Sequence, residues 1–182
     1  MIRMISITDP KEKAEYLDKH LTYRINSMLA YDLIIHRKTT PEYAAVKDSC
    51  YGDSPILEPI FEISIIFGRA LLNFLGLSFD KTNNKIVAFN PKADDLTIKS
   101  LFPDRKFCAI NHQIVLENHD ALCTLIKLAN KSVAHLTASV IEITANDQEK
   151  LPKARKAIYK LMLEHVPEMN KEKIWWTTQI VD

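Results

Sequence analysis

The sequence predicts a mainly α fold: an antiparallel four-helix bundle in which a long connection between the second and third helices has room for a short β-hairpin. Three observations predict it. Apolar residues recur at three- and four-residue steps along extended stretches, as in helices that bury one face. Proline follows a small polar residue where two of those stretches begin. Between the second and third stretches the pattern changes to short apolar runs separated by turn residues.

Asp9 before Pro10 starts the first helix, because the carboxylate can cap free amides while proline's missing N–H costs nothing in the first turn. Ala14, Leu17, Leu21, Ile25, Met28, Leu29 and Ile35 then share one face up to about Arg37. The stretch from Thr39 to Ser54, with Pro41, Asp48 and Gly52, is read as an irregular connection. Ser54 and Pro55 open a second helix, apolar nearly all round, that Gly76 can close in the left-handed conformation. Leu77 to Phe89, with Asp80, Asn83 and Asn84 in its middle, fits a two-stranded hairpin. Pro91 to Pro103 is read as irregular.

A third helix is expected from Asn118–Asp120 through Leu122, Ile126, Ala129, Val133, Leu136, Val140 and Ile143. Asn146 and Asp147 read as its interruption and Pro152 as a fresh start. A fourth helix then carries Ala154, Ile158, Leu161, Met162 and His165 and ends before Pro167. Residues 1–182 are taken as one domain: an N-terminal extension over 1–8, the bundle over 9–166, and a tail over 167–182. The tail, with Trp175 and Trp176, is expected to pack on the bundle or on a partner, since such rings are rarely left in water.

Composition removes several classes of function. Lys and Arg number 24 against 23 Asp and Glu, a formal charge of +1, so no global field recruits nucleic acid or anionic lipid. Cys50, Cys108 and Cys123 lie far apart without CxxC or CxxH spacing and read as reduced thiols of a cytoplasmic protein. No signal peptide is read in the first residues. The apolar stretch Ile56 to Leu77 is broken by Glu58, Pro59, Glu62, Arg69 and Asn73, so it reads as a core helix and not a membrane span. Gly52, Gly68 and Gly76 are too few and too scattered for a dinucleotide fingerprint or a phosphate loop. No GxSxG elbow or HExxH pair appears. No metal and no cofactor is expected.

Four weaker constellations remain. Glu58, Glu62, Arg69 and Asn73 project within roughly 60° on the second helix; Glu62, Arg69 and Asn73 are pocket candidates, although a solvated edge of a core helix is the plainer reading. Asp32 and His36 are one turn apart, a spacing that serves an acid/base pair and also a routine stabilising contact. Lys153, Lys156 and Lys160 form a basic face on the fourth helix, with Lys150 and Arg155 nearby. It could hold a phosphate backbone, although a solvated face is the ordinary use of such residues. The fourth is the polar cluster Asn130, Lys131, Ser132 and His135, where Lys131 and His135 share a face of the third helix.

At that cluster the chain resembles the HEPN superfamily of prokaryotic helical bundles, often found in toxin, defence and RNA-cleaving systems and commonly dimeric. The family's hallmark is an arginine separated from a following histidine by four to six intervening residues. Asn130-Lys131-Ser132-Val133-Ala134-His135 supplies the histidine without the arginine, and Arg105 and His112 have the spacing in a stretch that reads as loop or strand. The resemblance implies His135 as general acid or base, with Lys131 or Arg69 stabilising phosphate charge.

The function expected from these readings is a non-catalytic binding or regulatory module acting through self-association, as a dimer or with a protein partner. The alternatives are a HEPN-like RNA-binding protein or ribonuclease, active or degenerate, and a bundle that binds a small ligand in its core.

Overall fold

The computed structural model of the chain describes residues 5–38, 54–130 and 143–174. The first helix runs in three pieces without a break: α1 (Pro10–Glu15), a π-helical turn (Tyr16–Leu21) and α2 (Thr22–Lys38). Asp9 caps it as expected, its Oδ1 accepting from the amides of Lys11 at 2.7 Å and Glu12 at 3.2 Å. The π-helical turn was not expected. There Thr22 Oγ1 donates to the Leu17 carbonyl at 3.0 Å, five residues back, the reach that such a wide turn opens. Leu17, Leu21, Ile25, Met28 and Leu29 of the predicted apolar face are buried on both sides of the turn, whereas Ala14 and Ile35 at its two ends are exposed.

Helix α3 (Ser54–Phe74) is a core helix, with Ile65, Leu71, Leu72 and Phe74 buried. Gly76 closes it at φ +89°, a conformation costly for any residue with a side chain. A Cβ there would also lie 2.4 Å from the Phe107 ring. The antiparallel hairpin follows as β1 (Leu77–Asp80) and β2 (Lys85–Ala88), with Leu77 opposite Ala88 and Asp80 opposite Lys85. Asp80 sets its turn by accepting from the amides of Thr82 and Asn83 and from the Asn83 side chain.

The connection read as irregular contains two short helices, α4 (Ile98–Leu101) and α5 (Gln113–Glu117). Their few turns are held by tertiary contacts and not by periodicity: Ile98, Leu101 and Val115 are buried, and the Ile7 amide donates to the Ser100 carbonyl at 2.8 Å. Helix α6 (His119–Leu128) begins where predicted; its expected continuation through Val133, Leu136 and Val140 lies outside the described residues.

Helix α7 (Ala145–His165) corrects the reading of the fourth helix. Asn146 and Asp147 do not interrupt a helix but form the first turn of one. Asp147 accepts from the Thr144 amide at 3.1 Å, and Thr144 Oγ1 accepts from the Asp147 amide at 3.2 Å, a reciprocal capping box. Pro152 sits inside the helix and does not start it. Its missing N–H leaves the Gln148 carbonyl without that helical donor, but Gln148 and Pro152 are both exposed, so water can serve instead.

Helix α2 packs on α3, α6 on α7, and α3 on both α6 and α7; α2 also meets α7. The Tyr23 ring meets Phe67, and Tyr31 meets Phe61, so α2 and α3 run antiparallel. Buried residues of the long helices and the hairpin form one apolar cluster. Each fully buried Leu, Ile or Met in it contributes about 1.5–3 kcal/mol. The tail as far as Ile174 closes on α2: Ile174 is buried and Asn26 Nδ2 donates to the Lys173 carbonyl at 3.0 Å. Trp175 and Trp176 lie outside the described residues. Among those described, no helix is long and apolar enough to cross a membrane.

Gly76→Ala is expected to destabilise the chain by about 2 kcal/mol or more, from backbone strain together with the Phe107 clash. Urea unfolding followed by circular dichroism checks this, and a loss below about 0.5 kcal/mol would contradict the assigned backbone.

Candidate functional site

The least expected feature of the core is Arg155. It lies on the inward face of α7 between Leu151, Ala154 and Ile158, with 1% of its side chain exposed. A guanidinium there needs an acceptor partner, because an isolated buried charge costs several kcal/mol. Asp32 of α2 supplies it: Arg155 Nε donates to Oδ2 at 2.6 Å, and a second guanidinium N–H donates to Oδ1. This is the bidentate fork that arginine makes with a carboxylate. Ser64 Oγ of α3 lies 3.4 Å from the remaining guanidinium nitrogen, and the guanidinium carbon is 5.4 Å from the Tyr31 ring centroid. Three helices therefore meet on one cation.

The pair borders a cavity of about 310 Å³ among α2, α3 and α7. Tyr31 and Phe61 form an aromatic wall, with centroids 5.0 Å apart and planes at 69°. Ile35, Leu151 and Pro152 add apolar surface, and Gln148 an amide. Asp32 keeps 12% of its side chain exposed. The cavity thus combines an aromatic wall with a carboxylate whose charge is already balanced. A shallower depression of about 370 Å³ lies where the tail meets α2, between Tyr23 and Lys173. The Asp18–Lys173 ion pair, at 2.5 Å, is part of its lining.

The sequence-derived candidates are distributed differently. Asp32 is engaged by Arg155 of another helix, so its use is not confined to the local spacing with His36. Glu58 and Glu62 are exposed, and Arg69 and Asn73 are half-buried; none of Glu62, Arg69 and Asn73 lines either cavity. Arg69 instead donates to Asn130 Oδ1 at 2.8 Å, joining α3 to the first residue of the polar cluster. Lys131 and His135 lie outside the described residues. Lys153 and Lys160 are exposed and Lys156 half-buried, as a solvated face requires. Arg155 does not belong with them, because it points into the core. Spacing alone could not reveal this, although its place between the apolar Ala154 and Ile158 was a signal.

Two further groupings have contacts that the sequence reading did not foresee. Arg105 and His112, remarked for their spacing, both reach the C-terminal end of α7. Arg105 donates to the His165 carbonyl at 2.9 Å and forks onto Glu168, and this donation holds the Glu168 carboxyl below its ordinary pKa. His112 Nδ1 accepts from the Ile114 amide at 3.3 Å, which places the proton on Nε2, 2.9 Å from Glu164 Oε1. The second grouping is His119 and Cys123, one turn apart on α6. Cys123 Sγ is 3.8 Å from His119 Nε2, but the same nitrogen accepts from the Ile86 amide of β2 at 3.4 Å. Burial, with Asp120 adding to it, pushes the Cys123 thiol up to about 11. Burial, aided by Glu164, does the same to Cys108. A protonated thiol is a poor nucleophile, so these contacts act structurally.

Among the described residues no group of three or more His, Cys, Asp or Glu side chains is placed to hold a metal ion. No family model, no curated protein and no solved structure matches the chain.

Two outcomes follow. Arg155→Met strands the Asp32 carboxylate and is expected to cost about 3 kcal/mol, whereas Asp32→Leu with Arg155→Met together should cost less than the single change. Urea unfolding of the cycle checks this, and a double variant as unstable as the sum of both singles would show no coupling. In a Cys50→Ser background, the raised thiols should carry about a hundredfold less thiolate at pH 8 than ordinary cysteine. Ellman's reagent should therefore react correspondingly slowly until the chain is unfolded.

Proposed function

We propose that this chain is a cytoplasmic, non-catalytic binding or regulatory module, an antiparallel four-helix bundle that acts by associating with a second copy of itself through the outer face of α2 and α3. The observation that carries the reading is the composition of that face. Tyr23 is 57% exposed and Ile63 40% exposed, and half-buried Ala30, Ile34, Phe67 and Ala70 lie along the same two helices. Tyr23 meets the Phe67 ring edge-on at 5.6 Å, so the two stripes adjoin. Such a face can pair with its own copy through apolar contact, with Arg24 over the Phe67 ring and the Asp18–Lys173 pair at its edge, and the chain's formal charge of +1 opposes pairing little.

Size sets the strength. Helices of this length are about 25–30 Å long and about 10 Å across, so together they offer roughly 500–600 Å². A stable interface uses about 800 Å² per partner, so a weak, reversible dimer is the expected state. The non-catalytic reading draws on the groups a nucleophile or base would need: both described thiols are held protonated, and His119 and His112 serve backbone amides and Glu164.

A HEPN-like RNA-binding role is a second reading, favoured by one contact. Arg69 reaches Asn130, which brings a cation to the start of the segment that holds Lys131 and His135. One experiment addresses both. Light scattering during size exclusion should give twice the mass of one chain at high concentration, and Ile63→Glu and Tyr23→Glu should give a monomer with unchanged helicity. A monomer at every attainable concentration would sink self-association. Cleavage of a structured RNA by the wild-type chain, abolished in His135→Ala, would put the second reading first.

A further inference from the structure

We propose that the cavity among α2, α3 and α7 is a binding site for a small, uncharged, aromatic molecule that donates a hydrogen bond to Asp32. Three properties of the cavity select that chemistry. The first is size: about 310 Å³ is room for about ten water-sized groups at roughly 30 Å³ each, the bulk of a one- or two-ring compound. The second is the wall. Tyr31 and Phe61 stand nearly perpendicular at 5.0 Å, so a flat ring can stack on one and meet the edge of the other. Ile35, Leu151 and Pro152 complete an apolar surround.

The third is charge. Arg155 uses one lone pair on each Asp32 oxygen and neutralises the carboxylate, so a second buried charge, of either sign, would enter without a counter-ion. Each oxygen retains lone-pair capacity, and both partners border the cavity, Asp32 with 12% of its side chain exposed and Arg155 with 1%. The polar edge offered to a ligand by the pair is therefore an acceptor. A ring bearing an N–H or phenolic O–H matches that acceptor, and the Gln148 amide stands at the exposed side of the cavity. Burial of Arg155 gives the site its rigidity, since the acceptor is oriented by a cation locked between three helices.

The probe is indole, uncharged, bicyclic and a single N–H donor, titrated into the full chain by calorimetry and by ligand-observed NMR. Indole is expected to bind saturably at one site, and 1-methylindole, which lacks the donor, to bind about fivefold or more weakly. Indole-3-acetate and tryptamine should both bind more weakly than indole. Ile35→Trp and Gln148→Trp place a large ring at the mouth of the cavity from exposed positions. Each should abolish binding while leaving helicity and thermal midpoint near wild type, so loss of fold cannot account for the result. Absence of binding at millimolar indole, equal affinity for 1-methylindole, tighter binding of either charged analogue, or full binding by both tryptophan variants would each overturn the proposal.

Discussion

A guanidinium placed inside an apolar core must find its acceptors there, and the arrangement of the helical body depends on how Arg155 finds them. Its neighbours on α7, Leu151, Ala154 and Ile158, are buried, so the arginine cannot turn outward without exposing them. Asp32 of α2 and Ser64 of α3 must then lie opposite it. Such a pair adds little net stability over an apolar one of the same size, because desolvation offsets most of the attraction. What it does is fix the rotation and height of α7 against α2, since a slip of one residue would leave both charges unmatched in the core. The open space beside the pair is part of the same arrangement: the aromatic side chains flank the fork and do not fill the volume around it.

The end of α7 is held by a different set of contacts. Arg105 and His112, from the segment after the hairpin, grip its last turn through the His165 carbonyl, Glu164 and Glu168. A cation at a helix C-terminus meets free carbonyls and the negative end of the dipole, so Arg105 serves the helix as well as Glu168. The tail is tied to the middle of the first helix, where Lys173 pairs with Asp18 and its carbonyl accepts from Asn26. Segments with few apolar residues are thereby tied to the helical core by polar contacts.

How much of this is legible in the sequence depends on how local its cause is. Asp9 with Pro10, the closing Gly76, and the Asp80–Asn84 turn act within a few residues of themselves, and their signals read correctly. The start of α7 was misread because Asn146, Asp147 and Pro152 are breakers by type. Position reverses their meaning: Asp147 completes a capping box with Thr144, and Pro152 costs one hydrogen bond on a solvated side. The helices α4 and α5 were missed because contacts made across the chain hold them, such as that of Ile7 with Ser100.

By itself the sequence determined the class of the fold, the apolar faces of the long helices and the hairpin between them, because periodicity, capping and turn chemistry are properties of neighbouring residues. Only the tertiary structure decided what the polar residues do. Asp32 carries the same spacing to His36 whether or not an arginine lies across from it, and Arg155 sits among lysines in sequence while its side chain faces the core. Their partnership spans helices far apart along the chain. Burial and distance, which only folding assigns, turned a surface charge and a local carboxylate into the centre of a cavity.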